Sequence, residues 1–210
     1  MRILAFSDLH CDREAAQNIV TESATADVVV GAGDFGIRGE CSTELLDILK
    51  DISKPVLLVS GNHDRRVELA EYCSSLTSSN GSNGSMHLLD GSSQTIDGVT
   101  FFGLGGEIPS RSDAHWNETM EEDAATEILQ SATHFDVLIT HTPPYGYCDL
   151  QKDGAHEGSA AIANAIKRSS PTLCLCGHIH HAWGSVEQLA TTTVHNLGPK
   201  PCWHTLSAPG

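Results

Sequence analysis

The stretch KPVLLVSGNHD, residues 54–64, joins an apolar run to three polar side chains and decides how the rest of the chain is interpreted. Its apolar run is short and continuous, which is typical of a strand that is buried on both faces. Asn62, His63 and Asp64 follow directly at the carboxyl end of that run. A site built at strand ends requires other apolar runs of the chain to end in Asp, Asn or His as well.

The same pattern recurs along the chain. Further buried strands of this kind are predicted at 2–8, 27–34, 136–144 and 171–178. The stretches MHLLDG, SQTIDG and VTFFGLGG have the character of a meander, with Asp-Gly turns at 90–91 and 97–98. A final pair of strands is expected around 184–198. The polar stretch 77–85 is interpreted as a flexible excursion within the domain.

Helical patterns lie between these strands. Helices are predicted at 12–24, 42–52, 65–76, 118–132 and 159–169. In the second of them Ser42 or Thr43 is placed to act as the cap, and its apolar stripe consists of Leu45, Ile48, Leu49 and Ile52. The order βαβαβ at the start of the chain predicts a parallel sheet, and 210 residues favour one domain over 1–210.

The polar residues at the strand ends are those that bind metal ions. In CGHIHH, residues 176–181, His178 and His180 alternate, so on an extended backbone both would point to one side. Strand carboxyl ends in an α/β sheet are where sites assemble, so residues from separate strands are expected to meet there. The candidate metal ligands are Asp8, His10, Asp34, Asn62, His141, His178 and His180.

These ligands predict two metal ions. Oxygen and nitrogen donors without thiolate favour Mn, Fe, Zn or Ni, and the set is too large for one ion of four to six ligands. A two-metal site needs a bridging carboxylate, and Asp34 in GAGDFG is the best candidate for it. Each residue alone has a plainer interpretation: Asp8 and Asp34 as helix caps, Asn62 and His141 as turn residues. Capping gives no reason for the paired histidines.

The composition and the net charge limit the classes of molecule that the protein is expected to bind. Apolar content of 40% and charged content of 19% suit an ordinary globular chain with a core. The formal net charge of −15 argues against a nucleic-acid partner, which normally requires a basic surface. The net charge does not exclude a small anionic substrate. Bound metal ions would attract an anion at a distance shorter than the one over which salt screens the protein's overall charge.

The cysteines and the amino terminus indicate the compartment. The 7 cysteines are dispersed and contain no CxxC pair, so neither a disulfide framework nor a zinc ribbon is expected. Cys174 and Cys176 are interpreted as buried thiols that pack as small hydrophobes. The opening MRILAFSDLH has too short an apolar run for a signal or a membrane span. We therefore expect a soluble cytoplasmic protein without membrane partners.

Taken in order, the motifs resemble those of the calcineurin-like metallophosphoesterases. The matching blocks are DLH at 8–10, GD at 33–34, GNHD at 61–64, TH at 140–141 and GHIH at 177–180. The carboxyl-terminal part, with THTPPYGYCD, CGHIHHAWG and NLGP, is similar to small single-domain members. The resemblance implies an α/β fold, a two-layer mixed β-sandwich flanked by helices, with a dinuclear metal site at the strand carboxyl ends.

The resemblance also implies roles for individual residues. It assigns Asp8, His10 and His180 to one metal and Asn62, His141 and His178 to the other, with Asp34 shared. His63 is implied to be a proton donor beside the leaving-group oxygen, with Asp64 supporting its imidazolium. Metal-bound hydroxide would be the nucleophile, since a suitable metal lowers the pKa of bound water to about 7.

We therefore predict a hydrolase of small phosphate esters, with phosphodiesters slightly favoured because no cluster of extra cationic groups awaits a dianion. A phosphomonoesterase and a catalytically silent metal-binding scaffold are the alternatives, and a nuclease is disfavoured by the charge. Ser159 is first a helix cap, although its helix could hold a phosphate with His156 nearby. Arg38 is first interpreted as a solvated loop arginine, although it could reach a second phosphate oxygen. The roles of His115, His195 and Asn196 are open, as is the oligomeric state.

Overall fold

The computed structural model describes residues 1–78 and 85–207 of the chain. Within them the strands are β1 Arg2–Phe6, β2 Val28–Gly31, β3 Val56–Leu58, β4 Met86–Leu88, β5 Ser92–Ile96, β6 Val99–Leu104, β7 Val137–Thr140, β8 Leu173–Cys176, β9 Val186–Leu189, β10 Thr192–Asn196 and β11 Cys202–Thr205. The helices are α1 Arg13–Glu22, α2 Ser42–Leu49, α3 Arg66–Ser78, α4 Glu122–Ser131 and α5 Ala160–Ser169, with short 3-10 turns at Ser23–Thr25 and His180–Ala182.

The strands form two mixed sheets. The first has the order β11-β1-β2-β3-β4, and the second has the order β5-β6-β7-β8-β10-β9. Strands β1 to β4 are parallel, as are β6, β7, β8 and β10, while β11, β5 and β9 pair antiparallel with their neighbours. The carboxyl ends of the inner parallel strands therefore lie at one edge of each sheet.

Three apolar clusters show how the layers stack. One lies between the two sheets and includes Ile3, Val30, Leu57, Phe101 and Leu175. A second joins the outer face of the first sheet to α1, α2 and α3, and a third joins the outer face of the second sheet to α4 and α5. The inner strands β2, β3, β7 and β8 are buried on both faces, which explains why their sequences are continuous apolar runs. The predicted two-layer sandwich flanked by helices is confirmed.

Capping side chains determine where two of the helices begin. Asp12 accepts a hydrogen bond from the Ala15 amide and caps α1, and Ser159 caps α5 through the Ile162 amide. The predicted cap of α2 is wrong. Ser42 is the first residue of that helix, Cys41 precedes it in a left-handed conformation with φ of 56°, and no side chain caps it. Helix α2 ends at Leu49, before the predicted end at residue 52.

The predicted meander is also wrong. Strand β4 pairs in parallel with β3 in the first sheet, whereas β5 and β6 form a hairpin in the second. The Asp97-Gly98 turn closes that hairpin with positive φ at both residues, but Asp90-Gly91 carries the chain from one sheet to the other. Strand β11 was not predicted. The excursion at 77–85 falls largely outside the described residues.

The cysteines give one correction. Cys11 and Cys41 form a disulfide with their Cα atoms 5.9 Å apart, contrary to expectation, because spacing alone does not reveal which cysteines meet. Cys174 and Cys176 are buried thiols, as predicted. Across residues 1–78 and 85–207 no helix combines the length and the apolar character needed to cross a bilayer. The cytoplasmic location stays a prediction.

Candidate metal centre

The structure brings the predicted ligand residues together at the strand carboxyl ends of both sheets. Asp8 and His10 follow β1, and Asp34 follows β2. Asn62 comes after β3, and His141 comes directly after β7. His178 and His180 follow β8. The site therefore lies at the seam between the sheets, and residues far apart in sequence contribute to it.

Several of these residues have a left-handed backbone. Asp8, His10, Asp34 and His178 have φ of 54°, 45°, 57° and 68°. Non-glycine residues seldom adopt this conformation, which costs about 1–3 kcal/mol at each position. The prediction that His178 and His180 alternate along an extended strand is wrong. Strand β8 ends at Cys176, and His180 begins a 3-10 turn. The sharp backbone turns aim both side chains at the site.

The first ligand group contains Asp8, His10 and His180, whose ligand atoms lie within 4.8 Å of one another. Asp8 Oδ1 is 3.9 Å from His10 Nε2 and 3.7 Å from His180 Nε2. The other carboxylate oxygen accepts hydrogen bonds from the Ser7 hydroxyl at 2.5 Å and the Trp183 indole at 3.2 Å. These two donors leave Oδ1 directed at the histidines.

The second group is centred on Asn62. Its Oδ1 atom lies 3.0 Å from His141 Nε2 and 3.1 Å from His178 Nδ1. The opposite ring nitrogen of His141 donates to the Ala32 carbonyl oxygen at 2.8 Å, so Nε2 is the nitrogen that faces the site. His141 is completely buried.

Asp34 lies between the two groups. One carboxylate oxygen is 3.7 Å from His10 Nε2, and the other is 3.4 Å from His141 Nε2. Glycines make this approach possible: a Cβ atom on Gly61 would lie 2.0 Å from Asp34 Oδ1, and one on Gly33 would lie 2.7 Å from His141 Nδ1. This placement suits a carboxylate that two ions share, which is the role predicted for this residue.

The chemistry of the donor set fits metal cations. His10 Nδ1 lies 3.2 Å from the Gly36 carbonyl oxygen, to which it can only donate, so its Nε2 presents a lone pair toward His180 Nε2 at 3.1 Å. His141 Nε2 likewise presents a lone pair toward the carbonyl oxygen of Asn62. At His141 two acceptors face each other unless a proton or a cation lies between them, whereas the His10 lone pair can accept from an Nε2–H group of His180 or bind a cation.

The pKa values of Asp34 and His141 also show that this position favours positive charge. Burial opposes the ionisation of both Asp34 and His141, but their mutual attraction outweighs it. The Asp34 carboxylate raises the pKa of His141 to about 9, and His141 together with His63 and His10 lowers the pKa of Asp34. A cation at this position would replace the proton that His141 otherwise takes up.

His63 lies beside the first group. Its ring centroid is 5.2 Å from that of His10 and 4.6 Å from that of Trp116. The Arg38 amide donates to His63 Nδ1 at 3.0 Å, and the Arg38 guanidinium lies 5.6 Å from the centre of the Trp116 ring. Burial, opposed by the negative charge of Asp34, lowers the pKa of the His63 imidazole.

The negative charge of Asp64 favours the protonated form of His63 and so opposes the lowering of its pKa, but the hydrogen bonds of Asp64 are made elsewhere. Among the described residues its carboxylate accepts hydrogen bonds from the Ser42 hydroxyl and from backbone amides, and the His63 ring is not one of these donors. The amides belong to Asp34, Phe35, Gly36 and Gly61, at 2.8, 3.3, 2.9 and 2.8 Å. The Ser42 hydroxyl lies at 2.8 Å. Asp64 therefore ties the loop that carries Asp34 to the loop that carries Asn62.

Two residues contact the predicted ligands although the sequence did not predict these contacts. Glu107 Oε1 lies 3.5 Å from His178 Nε2, and Glu107 Oε2 accepts from Asn117 Nδ2 at 2.8 Å. Burial would raise the pKa of Glu107, but His178 and Asn117 lower it to about 2. The signal was present in the sequence, because Glu107 in GLGGEIP follows strand β6 just as the predicted ligands follow theirs.

The phosphate site suggested at the amino terminus of α5 is contradicted. The Glu122 carboxylate accepts hydrogen bonds from the amides of Ala160 and Ala161 at 2.9 and 2.7 Å, and from the Ser159 hydroxyl at 3.0 Å. A carboxylate of the protein thus already occupies this helix end. His156 pairs with the buried Asp149, with Nδ1 and Oδ1 2.6 Å apart.

His195 and Asn196, whose roles the sequence left open, make structural contacts. His195 Nδ1 lies 3.0 Å from His204 Nε2, which joins β10 of one sheet to β11 of the other. Asn196 donates to the carbonyl oxygens of Cys148 and Ile179 and so holds the turn that carries His180. His115 and Arg38 are exposed, as is His181.

Comparison with known proteins gives the family and the fold. The family model of the calcineurin-like phosphoesterases matches residues 1–182. The chain is 29% identical over 209 residues to UPF0046 protein K07C11.7 of Caenorhabditis elegans, covering 93% of this chain and 69% of that protein. It is 37% identical over 62 residues to metallophosphoesterase domain-containing protein 1 of Homo sapiens, which covers 29% of this chain and 19% of that protein.

Solved structures share the architecture. TT1561 of Thermus thermophilus superposes with a TM-score of 0.75 at 22% identity, covering 94% of this chain and 88% of that one. A dimetal phosphatase from Danio rerio superposes with a TM-score of 0.61 at 14% identity, covering 95% and 88%. At these identities the likeness establishes the fold.

Proposed function

Because the chain belongs to the calcineurin-like phosphoesterase family and is therefore a metal-dependent phosphoric ester hydrolase, we propose that it cleaves small phosphodiesters with His63 as the proton donor. The single observation that carries the proposal is the position of His63. Its ring lies against that of His10, beside the predicted metal ligands, and one of its nitrogens is fixed by a backbone amide.

We propose the ligand set that the geometry favours. Asp8, His10 and His180 would hold one ion, Asn62, His141 and His178 the other, and Asp34 both. Two bound divalent or transition-metal ions, of Mn, Fe, Zn or Ni, would lower the pKa of a water molecule and neutralise charge on the phosphoryl oxygens. Nitrogen and oxygen donors without thiolate support this range of metals.

The hydrogen bond to His63 determines where its proton lies. The Arg38 amide can only donate, so His63 Nδ1 accepts, and the proton of the neutral ring is on Nε2. Protonation of Nδ1 would place two donors against each other, which agrees with the lowered pKa of His63. To act as an acid the ring would first take up a second proton at Nδ1 and release the Arg38 amide. The imidazolium would then give its Nε2 proton to the leaving-group oxygen and become neutral, and a positioned proton donor is worth about 10²–10⁴-fold in rate.

The charges around the site favour a diester. A diester carries one negative charge at phosphorus, whereas a monoester dianion requires additional cationic partners. The nearby Arg111 is engaged with the protein, since its guanidinium donates to the Glu157 carbonyl oxygen and lies 4.0 Å from Glu107 Oε1. The exposed Arg38 guanidinium lies 5.6 Å from the centre of the Trp116 ring, and the site itself contains the buried carboxylates of Asp8, Asp34 and Glu107.

The overall charge supports small molecules as substrates. The net charge of −15 would repel a nucleic-acid backbone that approaches to within the screening distance of about 8 Å at physiological salt. We propose that a small phosphate ester is the substrate and that nucleic acids and membranes are not partners.

The experiment is a comparison of two aryl esters. Full-length protein reconstituted separately with Mn²⁺, Fe²⁺, Ni²⁺ and Zn²⁺ is assayed with bis(4-nitrophenyl) phosphate and with 4-nitrophenyl phosphate. We expect kcat/KM for the diester to exceed that for the monoester with at least one metal. A higher kcat/KM for the monoester with every metal would overturn the diester preference and leave phosphomonoesterase activity. Inactivity on both would overturn the proposal.

A further inference from the structure

Glu107 and Asn117 contact both sides of the second ligand group. Glu107 follows β6 and is 7% exposed, and Asn117 lies in the loop that leads from it to α4. Two backbone hydrogen bonds hold this loop to itself, since the Glu107 amide donates to Glu118 and the Met120 amide donates to Glu107. The Glu118 amide donates to the Asn62 carbonyl oxygen at 2.9 Å, so the loop is attached directly to a predicted ligand residue.

A chain of hydrogen bonds with a defined direction starts at the Glu107 carboxylate. A carboxylate accepts only, so the Asn117 group that faces it at 2.8 Å is the NH₂ group. The same NH₂ group donates to the Ser112 carbonyl oxygen at 3.0 Å, which supports this orientation. Asn117 Oδ1 must then face Asn62, and it accepts from Asn62 Nδ2 at 2.8 Å.

This chain fixes the orientation of the Asn62 side-chain amide, because exchanging its oxygen and its NH₂ group would break the hydrogen bond to Asn117 Oδ1. With its NH₂ group held by Asn117, its Oδ1 atom faces His141 Nε2 and His178 Nδ1. An asparagine binds a cation through its oxygen, so this orientation is the one that a ligand requires.

The other oxygen of Glu107 acts on His178. Glu107 Oε1 is 3.5 Å from His178 Nε2, and a carboxylate favours a proton on that nitrogen. The lone pair of the neutral ring then lies on Nδ1, the nitrogen that faces Asn62 Oδ1 at 3.1 Å. One buried carboxylate thus sets the ligand atoms of two residues.

We propose that Glu107 and Asn117 are positioning residues that select the tautomer of His178 and the amide orientation of Asn62, and so determine the affinity of one metal ion of the pair. The proposal rests on the ligand set of the proposed function. The first group has separate supports: Ser7 and Trp183 hold Asp8, and Gly36 holds His10. The loss of Glu107 should therefore affect one ion and spare the other.

The experiment is calorimetric titration of the metal-stripped full-length chain with Mn²⁺. Wild type should show two binding events. In Glu107→Ala and Asn117→Ala one event should weaken about 10- to 100-fold, the range found for partners of ligating residues, while the other keeps its affinity. The matched control is Glu118→Gln, a carboxylate in the same loop whose side chain pairs with Arg66 at 3.4 Å instead of with a ligand residue.

A spectroscopic signature separates positioning from general loosening. At two equivalents of Mn²⁺ wild type should show the electron paramagnetic resonance spectrum of a spin-coupled pair, whereas the two Ala variants should still show that of an isolated ion. Two events of wild-type affinity in a folded Glu107→Ala variant would overturn the proposal, as would equal weakening of both events. If Glu107→Ala does not fold, Asn117→Ala decides by the same criteria. Failure of wild type to bind Mn²⁺ would instead overturn the proposed ligand set.

Discussion

His10 Nε2 lies 3.1 Å from His180 Nε2, although 170 positions separate the two residues and they follow strands of different sheets. The Gly36 carbonyl oxygen accepts the proton of the other His10 nitrogen, so a lone pair faces His180. That lone pair can accept from an Nε2–H group of His180 or bind a cation, and carboxylate oxygens of Asp8 and Asp34 lie 3.9 and 3.7 Å from His10 Nε2. The fold thus creates a site for cations at the seam of its two sheets.

Replacement of His63 by Ala tests the proton donor. We expect kcat for a diester with an alkyl leaving group to fall about 10²–10⁴-fold, because the departing alkoxide needs a proton. The loss should be smaller with 4-nitrophenolate, which leaves without one. Steady-state kinetics on both substrates measure the difference, and metal content should be unchanged.

The control for His63 is His115→Ala, which removes an exposed imidazole from the neighbouring loop. This variant should keep wild-type kinetics with both leaving groups. An equal loss for both leaving groups in His63→Ala would contradict a proton-donor role, and a loss of bound metal would make His63 a ligand.

Asp64→Asn tests the clamp between the ligand loops. The Asp64 side chain is buried, and it accepts hydrogen bonds from four backbone amides and the Ser42 hydroxyl. In the Asn variant the side-chain NH₂ group would face some of these donors and could not accept from them. We expect the free energy of unfolding to fall by about 3 kcal/mol or more, as measured by urea denaturation. Asp12→Asn, at the exposed cap of α1, should cost less than about 1 kcal/mol. Equal small losses in both variants would argue against the clamp.

The His195–His204 pair predicts acid sensitivity. Burial and the neighbouring His195 lower the pKa of His204 to about 4, and burial also lowers the pKa of His195. In the unfolded chain histidine titrates near pH 6.5, so the unfolded state takes up protons first as the pH falls. Stability from this pair is full above about pH 6.5 and is lost as the pH falls towards 4.

Urea denaturation of metal-free protein at several pH values between about 7 and 4 measures this effect. The variant His204→Gln should lose less stability over that window than wild type, because it cannot titrate. His134→Gln, which removes a histidine whose side chain is 68% exposed, should follow the wild-type curve. A His204→Gln curve parallel to wild type would contradict the assignment.

Much of the fold and most of the site could be predicted from strand ends. The apolar runs before Asp8, Asp34, Asn62 and His141 are buried strands because both sheet faces are covered. Parallel strands bring their carboxyl ends to one edge, so the residue types at those ends indicated a metal site. Strand β4 could not be assigned to its sheet, since three apolar or half-buried residues carry no information about their partner.

The missed features depend on contacts between distant segments. Glu107 has the same sequence signal as the ligands, but one acidic residue after a strand is common and its meaning comes from His178. The family resemblance linked Asp64 to His63, and it did not indicate that the Asp64 oxygens accept hydrogen bonds from the Asp34 loop and from Ser42. Likewise, the suggestion of an anion site at Ser159 failed because Glu122 comes from a different helix.

The most direct test of the central claim is the number of metal ions that each chain holds, measured by elemental mass spectrometry after reconstitution with Mn²⁺ or Zn²⁺ and removal of free metal. We predict two ions in wild type and in the control His181→Ala, which changes only an exposed imidazole. In Asp34→Asn we predict fewer than two, because the shared carboxylate loses its charge. Folded wild-type protein without bound metal, or two ions retained in Asp34→Asn, would contradict the claim.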